Sequence, residues 1–147
     1  MIRRAMPSEA PALRALTERA YADYVPLLGR RPAPMDADYG AHIAAGEAWV
    51  LEEDGGLLGL LVLEEEPGHL WLDNIAVEPR LHHRGTGQRL LRFTMEEAAR
   101  RDFSEVRLLT NERMARNIAI YARMGFVEYD RREENGFRRV YMRAPVR

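Results

Sequence analysis

The spacing of apolar residues changes several times along the chain, and each change predicts a different element. Apolar residues recur at helical spacing after Pro7, where Ser8 is a candidate N-cap, and again up to Ala45 after Asp36, a second candidate N-cap. Two more helices are predicted, one from Gly87 to about Arg101 and one after Asn111, which is its candidate N-cap. Apolar runs and alternation predict strands over residues 2–6, 48–53, 57–65, 69–77, 106–110, 126–132 and 138–143.

These elements follow one another in the order β-α-α-β-β-β-α-β-α-β-β, which predicts an α/β fold with a mixed sheet and helices on both faces. Turn signals at 54–56, 67–68 and 135–136 separate neighbouring strands. The strand over 69–77 is apolar at most positions, so we expect it to be covered on both faces and central to its sheet. With no linker in 147 residues, we expect a single domain spanning 1–147.

Composition then excludes several classes of protein. A hydrophobic content of 46% with 31% charged residues is typical of a soluble globular chain, and the net charge of −1 gives no basic field for nucleic acid. No apolar run reaches the roughly 20 residues of a membrane span. The chain has no cysteine, which excludes a cysteine nucleophile and suits a cytoplasmic location, and its four histidines lack metal-ligand spacing.

Candidate chemistry concentrates in residues 74–91, where a buried strand, a turn and two glycines precede an amphipathic helix. A helix N-terminus offers free N–H groups and a favourable dipole, which together bind phosphate. This one is flanked by basic side chains: Arg80, His82, His83, Arg84 and Arg89. A Walker loop is excluded because Gln88-Arg89 follows Gly87, and a dinucleotide fingerprint because Leu90 replaces its third glycine. A different polyphosphate cofactor is expected.

Two motifs resemble the GNAT superfamily of acyltransferases. Arg84-Gly85-x-Gly87, after Ile-Ala-Val, resembles the family's acyl-CoA loop, Gln/Arg-x-x-Gly-x-Gly/Ala, although His82 occupies its first position. Downstream, Asn117 and Tyr121 followed by Gly-Phe resemble the family's last helix. Residues 2–10 are similar to its first strand and helix cap, so the resemblance covers essentially the whole chain. It implies the GNAT fold, with a splayed central strand pair that binds acyl-CoA.

The resemblance also implies which residues bind the cofactor, here acetyl-CoA. The backbone of Ile75, Ala76 and Val77 would follow the pantetheine arm and the thioester carbonyl, where strand N–H groups could stabilise an oxyanion. Asn117 would contact the cofactor arm. The diphosphate would lie on the loop residues His82, His83, Arg84, Gly85, Thr86, Gly87 and Gln88.

For catalysis, the resemblance implies that Tyr121 protonates the leaving thiolate, as a phenol can at neutral pH. The general base is less well defined, because Trp71 stands where histone-type members carry a glutamate. Asp73, two residues further on, is a carboxylate in an apolar stretch and is a candidate base, with a purely structural role as an equal alternative. A carboxylate of residues 64–66 acting through water is a third option.

The acceptor pocket is implied to lie in the N-terminal helix–loop–helix region. Its candidate residues are Tyr21, Tyr24, Arg31, Met35 and Tyr39. The expected function is direct transfer of an acetyl group to a primary amine of a small molecule or peptide, in a chain that could form a homodimer. The alternatives are a non-catalytic CoA-binding or sensing module on the same fold and, less favoured, a general nucleotide-binding protein.

Overall fold

The structure, a computed structural model, describes residues 1–82 and 84–147. Within them the strands are β1 Ile2–Arg4, β2 Ala48–Glu53, β3 Gly56–Glu66, β4 His69–Val77, β5 Glu105–Asn111, β6 Val127–Glu134 and β7 Phe137–Pro145. The α-helices are α1 Ala10–Tyr21, α2 Tyr24–Leu28, α3 Tyr39–Ala44, α4 Thr86–Arg100 and α5 Ala115–Arg123. Short 3-10 turns cover Pro7–Glu9, Ala33–Asp36 and Pro79–Leu81. The predicted order of strands and helices is confirmed, with α2 as an addition.

The chain forms two compact units that alternate along the sequence. The first unit consists of Met1–Leu63 and Asn74–Leu90, and the second of Glu64–Asp73 and Leu91–Arg147. The prediction of a single domain stays a prediction.

In the first unit, β1, β2 and β3 form an antiparallel sheet. Ile2 lies opposite Leu51, and Val50 lies opposite Leu60, before a bulge shifts the register after Leu51. Helix α3 packs against β2 and against α1, and the two helices contribute Leu13, Leu16 and Ile43 to the core, an arrangement that follows from their helical spacing.

Both predicted helix caps in this unit are wrong. Ser8 lies inside the first 3-10 turn, and the Met6 amide instead donates to the Glu9 carboxylate at 2.7 Å. Glu9 is also held by two hydrogen bonds from Arg3, at 2.9 and 2.8 Å, which fix it beside the helix start. Asp38, rather than Asp36, caps α3 by accepting from the Ala41 amide at 3.0 Å.

In the second unit, β4 is parallel to β5 over three residue pairs, from Leu70–Val106 to Leu72–Leu108. Strand β7 is antiparallel to both β5 and β6, so this part of the sheet is mixed, as predicted. Gly125, with φ +96°, follows α5 in the left-handed conformation expected there.

Asn111 is not the N-cap of α5. It is the last residue of β5, and its side chain accepts from the Arg113 amide at 2.9 Å to form a local turn. The helix begins at Ala115, after Met114.

Strand β4 alternates in burial, so the expectation of cover on both faces is wrong. Leu70, Leu72, Asn74 and Ala76 are buried. The intervening residues are half-buried or, at Asp73, exposed. One face of this apolar strand therefore belongs to the core, while the other remains partly open.

Candidate active site

The loop before α4 uses its own amides to build a compact turn. The Leu81 amide donates to Glu78 O at 2.8 Å, the His82 amide to Pro79 O at 3.1 Å, and the Arg84 amide to Leu81 O at 3.2 Å. Gly85 follows with φ +80°, a conformation that favours glycine, and redirects the chain into the helix. His83 lies outside the described residues.

The start of α4 then presents amide donors. Its first helical hydrogen bond runs from the Arg89 amide to Gly85 O at 3.0 Å. Among the described residues, the amides of Thr86, Gly87 and Gln88 precede the first intrahelical hydrogen bond, and they lie at the positive end of the helix dipole. The Arg84 amide, expected to join them, is instead engaged within the loop.

Gly87 is the observation that best fits a ligand at this helix start. Its φ is not positive, and a Cβ built on it would meet no atom of the described chain within 4 Å. Glycine inside a helix costs about 1 kcal/mol relative to alanine, so the described chain itself gives no reason for a glycine here. Open space beside the first amides of a helix fits close approach by a phosphate group.

The charges around the loop are only partly available to an anion. Arg89 forms an ion pair with Glu53, and its hydrogen bond lowers the pKa of that carboxylate. Arg19 binds Glu78 through two hydrogen bonds, at 2.9 and 2.8 Å, which lower the pKa of Glu78. Arg80 and Arg84 are exposed.

His82 has a hydrogen-bond partner within the protein, in addition to lying among the basic residues of the loop. Its Nε2 lies 3.2 Å from Val77 O, and because a carbonyl can only accept, this nitrogen carries the hydrogen. The histidine at the first position of the loop motif therefore donates back to the end of β4.

Gly59 on β3 is a site residue that the sequence analysis missed. A Cβ at this position would lie 3.1 Å from Ala76 O and 2.9 Å from Leu90 Cδ1. The missing side chain therefore lets β4 and the first turn of α4 pack closely against β3. A glycine inside an otherwise apolar strand, Leu57-Leu58-Gly59-Leu60, is the signal that could have found it.

Two of the predicted acceptor-pocket residues form a buried hydrogen-bond network with Asn74, which was also missed. The Tyr21 hydroxyl donates to Asn74 Oδ1 at 2.8 Å and lies 3.1 Å from Ile75 O. Asn74 Nδ2 donates to the Tyr39 hydroxyl at 3.0 Å, and Thr17 Oγ1 lies 2.8 Å from the same hydroxyl. The network joins α1 and α3 to β4 next to the predicted thioester-binding backbone.

The other predicted pocket residues have different environments. The Tyr24 ring lies 5.9 Å from the Tyr21 ring, and Met35 is buried. Arg31 forms ion pairs with Glu18 and Asp36 near the surface. The first unit therefore contains the loop before α4 that is predicted to bind phosphate, the end of β4 and the segment predicted to shape the acceptor pocket.

Tyr121 and Asn117 belong to the second unit, on α5. Tyr121 is buried, with its ring edge-to-face against Phe126 at 5.9 Å. Asn117 lies one helical turn earlier and is half-buried, with Nδ2 3.8 Å from Met114 Sδ. The helical alignment of the two side chains matches the predicted motif.

Asp73, also in the second unit, does not have the apolar surroundings expected of it. The residue is exposed, and one carboxylate oxygen lies 3.3 Å from Trp71 Nε1, which donates to it. Among the alternatives, Glu64 is half-buried, whereas Glu65 and Glu66 are exposed and Glu65 lies 3.6 Å from Arg101.

Two features are absent from the residues that the structure describes. In that part of the chain no three histidine, aspartate or glutamate side chains cluster so as to hold a metal ion. No helix in residues 1–82 or 84–147 is long and apolar enough to cross a membrane.

Comparisons with known proteins identify the family and the fold. The model of the family described as "Acetyltransferase (GNAT) domain" matches residues 44–128, which include β4, the phosphate loop and α5. No curated protein sequence matches the chain.

Many solved structures share the fold. The ribosomal-protein-S18-alanine N-acetyltransferase from Escherichia coli is 20% identical with a TM-score of 0.78, over 99% of this chain and 93% of that one. The PaiA N-acetyltransferase from Thermoplasma acidophilum, in complex with coenzyme A, is 14% identical with a TM-score of 0.81, over 99% and 98%.

A third structure, the GNAT-like decarboxylase GphF in complex with isobutyryl-CoA, is 17% identical with a TM-score of 0.80, and each chain is fully covered. At these identities the likenesses show the fold, while the family model covers more than half of the chain. The chain therefore belongs to the GNAT acetyltransferase family.

Proposed function

We propose that this protein is an acyl-CoA-dependent N-acyltransferase, which transfers an acetyl group from acetyl-CoA directly to a primary amine of a small molecule or peptide. The observation that carries the proposal is the start of α4. There, Gly85 turns the chain and Gly87 leaves open space beside the first amides of the helix. Coenzyme A bound to relatives of the same fold supports the identity of the ligand.

The first unit supplies the binding residues in this proposal. The amides of Thr86, Gly87 and Gln88 would hold the diphosphate, together with exposed Arg80 and Arg84. The backbone of Ile75, Ala76 and Val77 would contact the pantetheine arm, since a strand edge offers amide groups that match its own.

Tyr121 is the proposed proton donor. A phenol with an ordinary pKa of about 10 is protonated at neutral pH and can transfer its proton to the departing sulfur. Burial against Phe126 holds the ring in one orientation, which general acid catalysis requires. Asn117, one turn earlier on α5, would contact the cofactor arm.

Asp73 remains the proposed base, now because of its exposure and not because of apolar surroundings. Because it is exposed, an amine arriving from solution can reach its carboxylate, and Trp71 Nε1 holds one of its oxygens by donating to it. The competing hypothesis is that the amine arrives already deprotonated and that Asp73 only orients Trp71.

Thermal unfolding in the presence of acetyl-CoA, CoA, ATP and NAD tests the choice of cofactor. A ligand at 100 times its Kd adds about 2.7 kcal/mol to the free energy of unfolding. We expect the melting temperature to rise with acetyl-CoA and CoA and to stay unchanged with NAD. A shift with ATP and NAD but not with CoA would replace the proposal with a general nucleotide-binding function.

A further inference from the structure

The buried network around Asn74 fixes the orientation of the Asn74 amide. Tyr39 has a single hydroxyl proton, and it is donated to Pro34 O at 2.6 Å. The Tyr39 oxygen must therefore accept from Asn74, which fixes the amide orientation and turns Oδ1 towards Tyr21. The Tyr21 proton is then shared between Asn74 Oδ1 at 2.8 Å and Ile75 O at 3.1 Å.

Burying such a network lowers the stability of the fold unless every polar group in it is hydrogen-bonded. Asn74 is 5% exposed and Thr17 is fully buried, and an apolar side chain at either position would carry no such desolvation cost. The network does one thing that an apolar core could not do: it places a hydroxyl donor on the Ile75 carbonyl.

The direction of that carbonyl follows from the strand geometry. The Glu78 amide donates to Leu58 O of β3 at 2.9 Å. Because successive backbone groups in a strand point to opposite edges, the amides and carbonyls of Ile75 and Val77 point to the edge of β4 opposite β3. On this edge, Tyr21 contacts Ile75 O, and His82 Nε2 contacts Val77 O at 3.2 Å.

We infer that Tyr21 and His82 are positioning residues that cap the two carbonyls of this edge, so that a bound acyl-thioester meets the Ile75 and Val77 amides without facing an uncapped carbonyl oxygen. The inference rests on the proposed function. An uncapped carbonyl dipole next to the thioester oxygen would repel the negative charge that develops there during transfer, and a hydroxyl donor on that carbonyl reduces the repulsion.

The test uses the difference between two ligands, since CoA lacks the acyl carbonyl and acetyl-CoA carries it. Affinities for both are measured by calorimetry, and kcat by amine-dependent thiol release, for the wild type and Tyr21→Phe. We expect the CoA affinity to stay within about twofold while kcat falls about tenfold, less than the roughly 10²- to 10³-fold cost of losing a direct oxyanion donor. The affinity for acetyl-CoA should fall relative to that for CoA.

Thr17→Val is the matched control, because it removes a buried hydroxyl from the same network without touching Ile75. It should lower the melting temperature and leave both the ligand ratio and kcat unchanged. A second pair keeps the inference testable if Tyr21→Phe unfolds: His82→Phe should reduce kcat, and His82→Gln, which can still donate to Val77 O, should restore it.

Equal effects of Tyr21→Phe on CoA and acetyl-CoA, or an unchanged kcat, would overturn the inference and reduce the network to a structural role. Failure of the proposed function has a different signature, because the wild-type protein would then either bind neither ligand or bind CoA without any amine-dependent thiol release.

Discussion

A substitution at Gly87 is expected to change folding stability and ligand affinity in opposite directions. Alanine is the better helix former by about 0.5–1 kcal/mol, and a Cβ at this position meets no described atom. We therefore expect Gly87→Ala to raise the free energy of unfolding of the unliganded protein in urea. The same methyl group should occupy the space proposed for the diphosphate and reduce CoA affinity at least tenfold, about 1.4 kcal/mol, by calorimetry.

Gly40→Ala is the control for that prediction. Gly40 is also an early residue of a helix, α3, and its φ is not positive. This variant should leave CoA affinity unchanged. An unaltered CoA affinity in folded Gly87→Ala would mean that the cofactor binds elsewhere.

Tyr121→Phe tests the proton donor. The substitution keeps the ring against Phe126 and its burial, and it removes only the hydroxyl group. We expect CoA affinity to persist and kcat for thiol release to fall by roughly 10²-fold. Wild-type turnover in this variant would make Tyr121 a core residue without a chemical role.

Asp73→Asn tests the base, with nearly the same shape and no carboxylate. If Asp73 accepts the amine proton, kcat/KM for the amine should fall by roughly 10²-fold at neutral pH, while CoA affinity is retained. Glu66→Gln, which alters an exposed carboxylate at the end of β3, is the comparison. An unchanged rate for Asp73→Asn, with a loss for Glu66→Gln, would transfer the role to the β3 carboxylates.

At the scale of single residues, the tyrosines could be predicted from the sequence, but their hydrogen-bond partners could not. Tyr21 and Tyr39 were identified from the resemblance, whereas Asn74, which binds both, lies 53 and 35 residues away along the chain. No local spacing reports a contact of that range. The exposure of Asp73 was not predicted either. Its neighbours Leu72 and Asn74 are buried on the opposite face of β4, so the apolar stretch does not surround the Asp73 carboxylate.

At the scale of elements, strand and helix order was predictable while helix starts were not. Hydrophobic periodicity is a property of many residues, so a single substitution changes it little. A helix cap depends on one side chain and on which nearby backbone amide donates to it. Glu9 reaches the Met6 amide because Arg3 fixes its carboxylate, so Ser8 is not needed. Asn111 instead completes a turn at the end of β5.

The packing of α4 on β3 gives a prediction at this scale. Gly59→Ala would place a methyl group 3.1 Å from Ala76 O and 2.9 Å from Leu90 Cδ1, so the end of β4 and the start of α4 must shift. We expect a loss of about 1–3 kcal/mol in the free energy of unfolding, as for other overpacked cores, together with weaker CoA binding.

Gly56→Ala on the same strand is the matched control, since its Cβ would make only an ordinary contact, 3.7 Å from Glu53 O. Equal urea stabilities and equal CoA affinities for the two variants would show that Gly59 does not set the position of α4.

At the scale of the whole molecule, the sequence predicted the mixed sheet but not the division into two units. Both β3 and β4 contribute residues to each unit, so the boundary coincides with no loop, linker or change of composition. The sequence motifs do not identify the acceptor amine either. Among the predicted pocket residues, Tyr21 and Tyr39 are hydrogen-bonded in the Asn74 network and Arg31 forms ion pairs.

The most direct test of the proposed function is release of free thiol from acetyl-CoA by the purified protein over a panel of small amines, amino acids and peptides. We expect release that depends on both protein and amine, with stoichiometric N-acetylated product detected by mass spectrometry and strong loss in Tyr121→Phe. Tight CoA binding with no amine-dependent release across the panel would contradict an acyltransferase and support a non-catalytic CoA-binding module on the same fold.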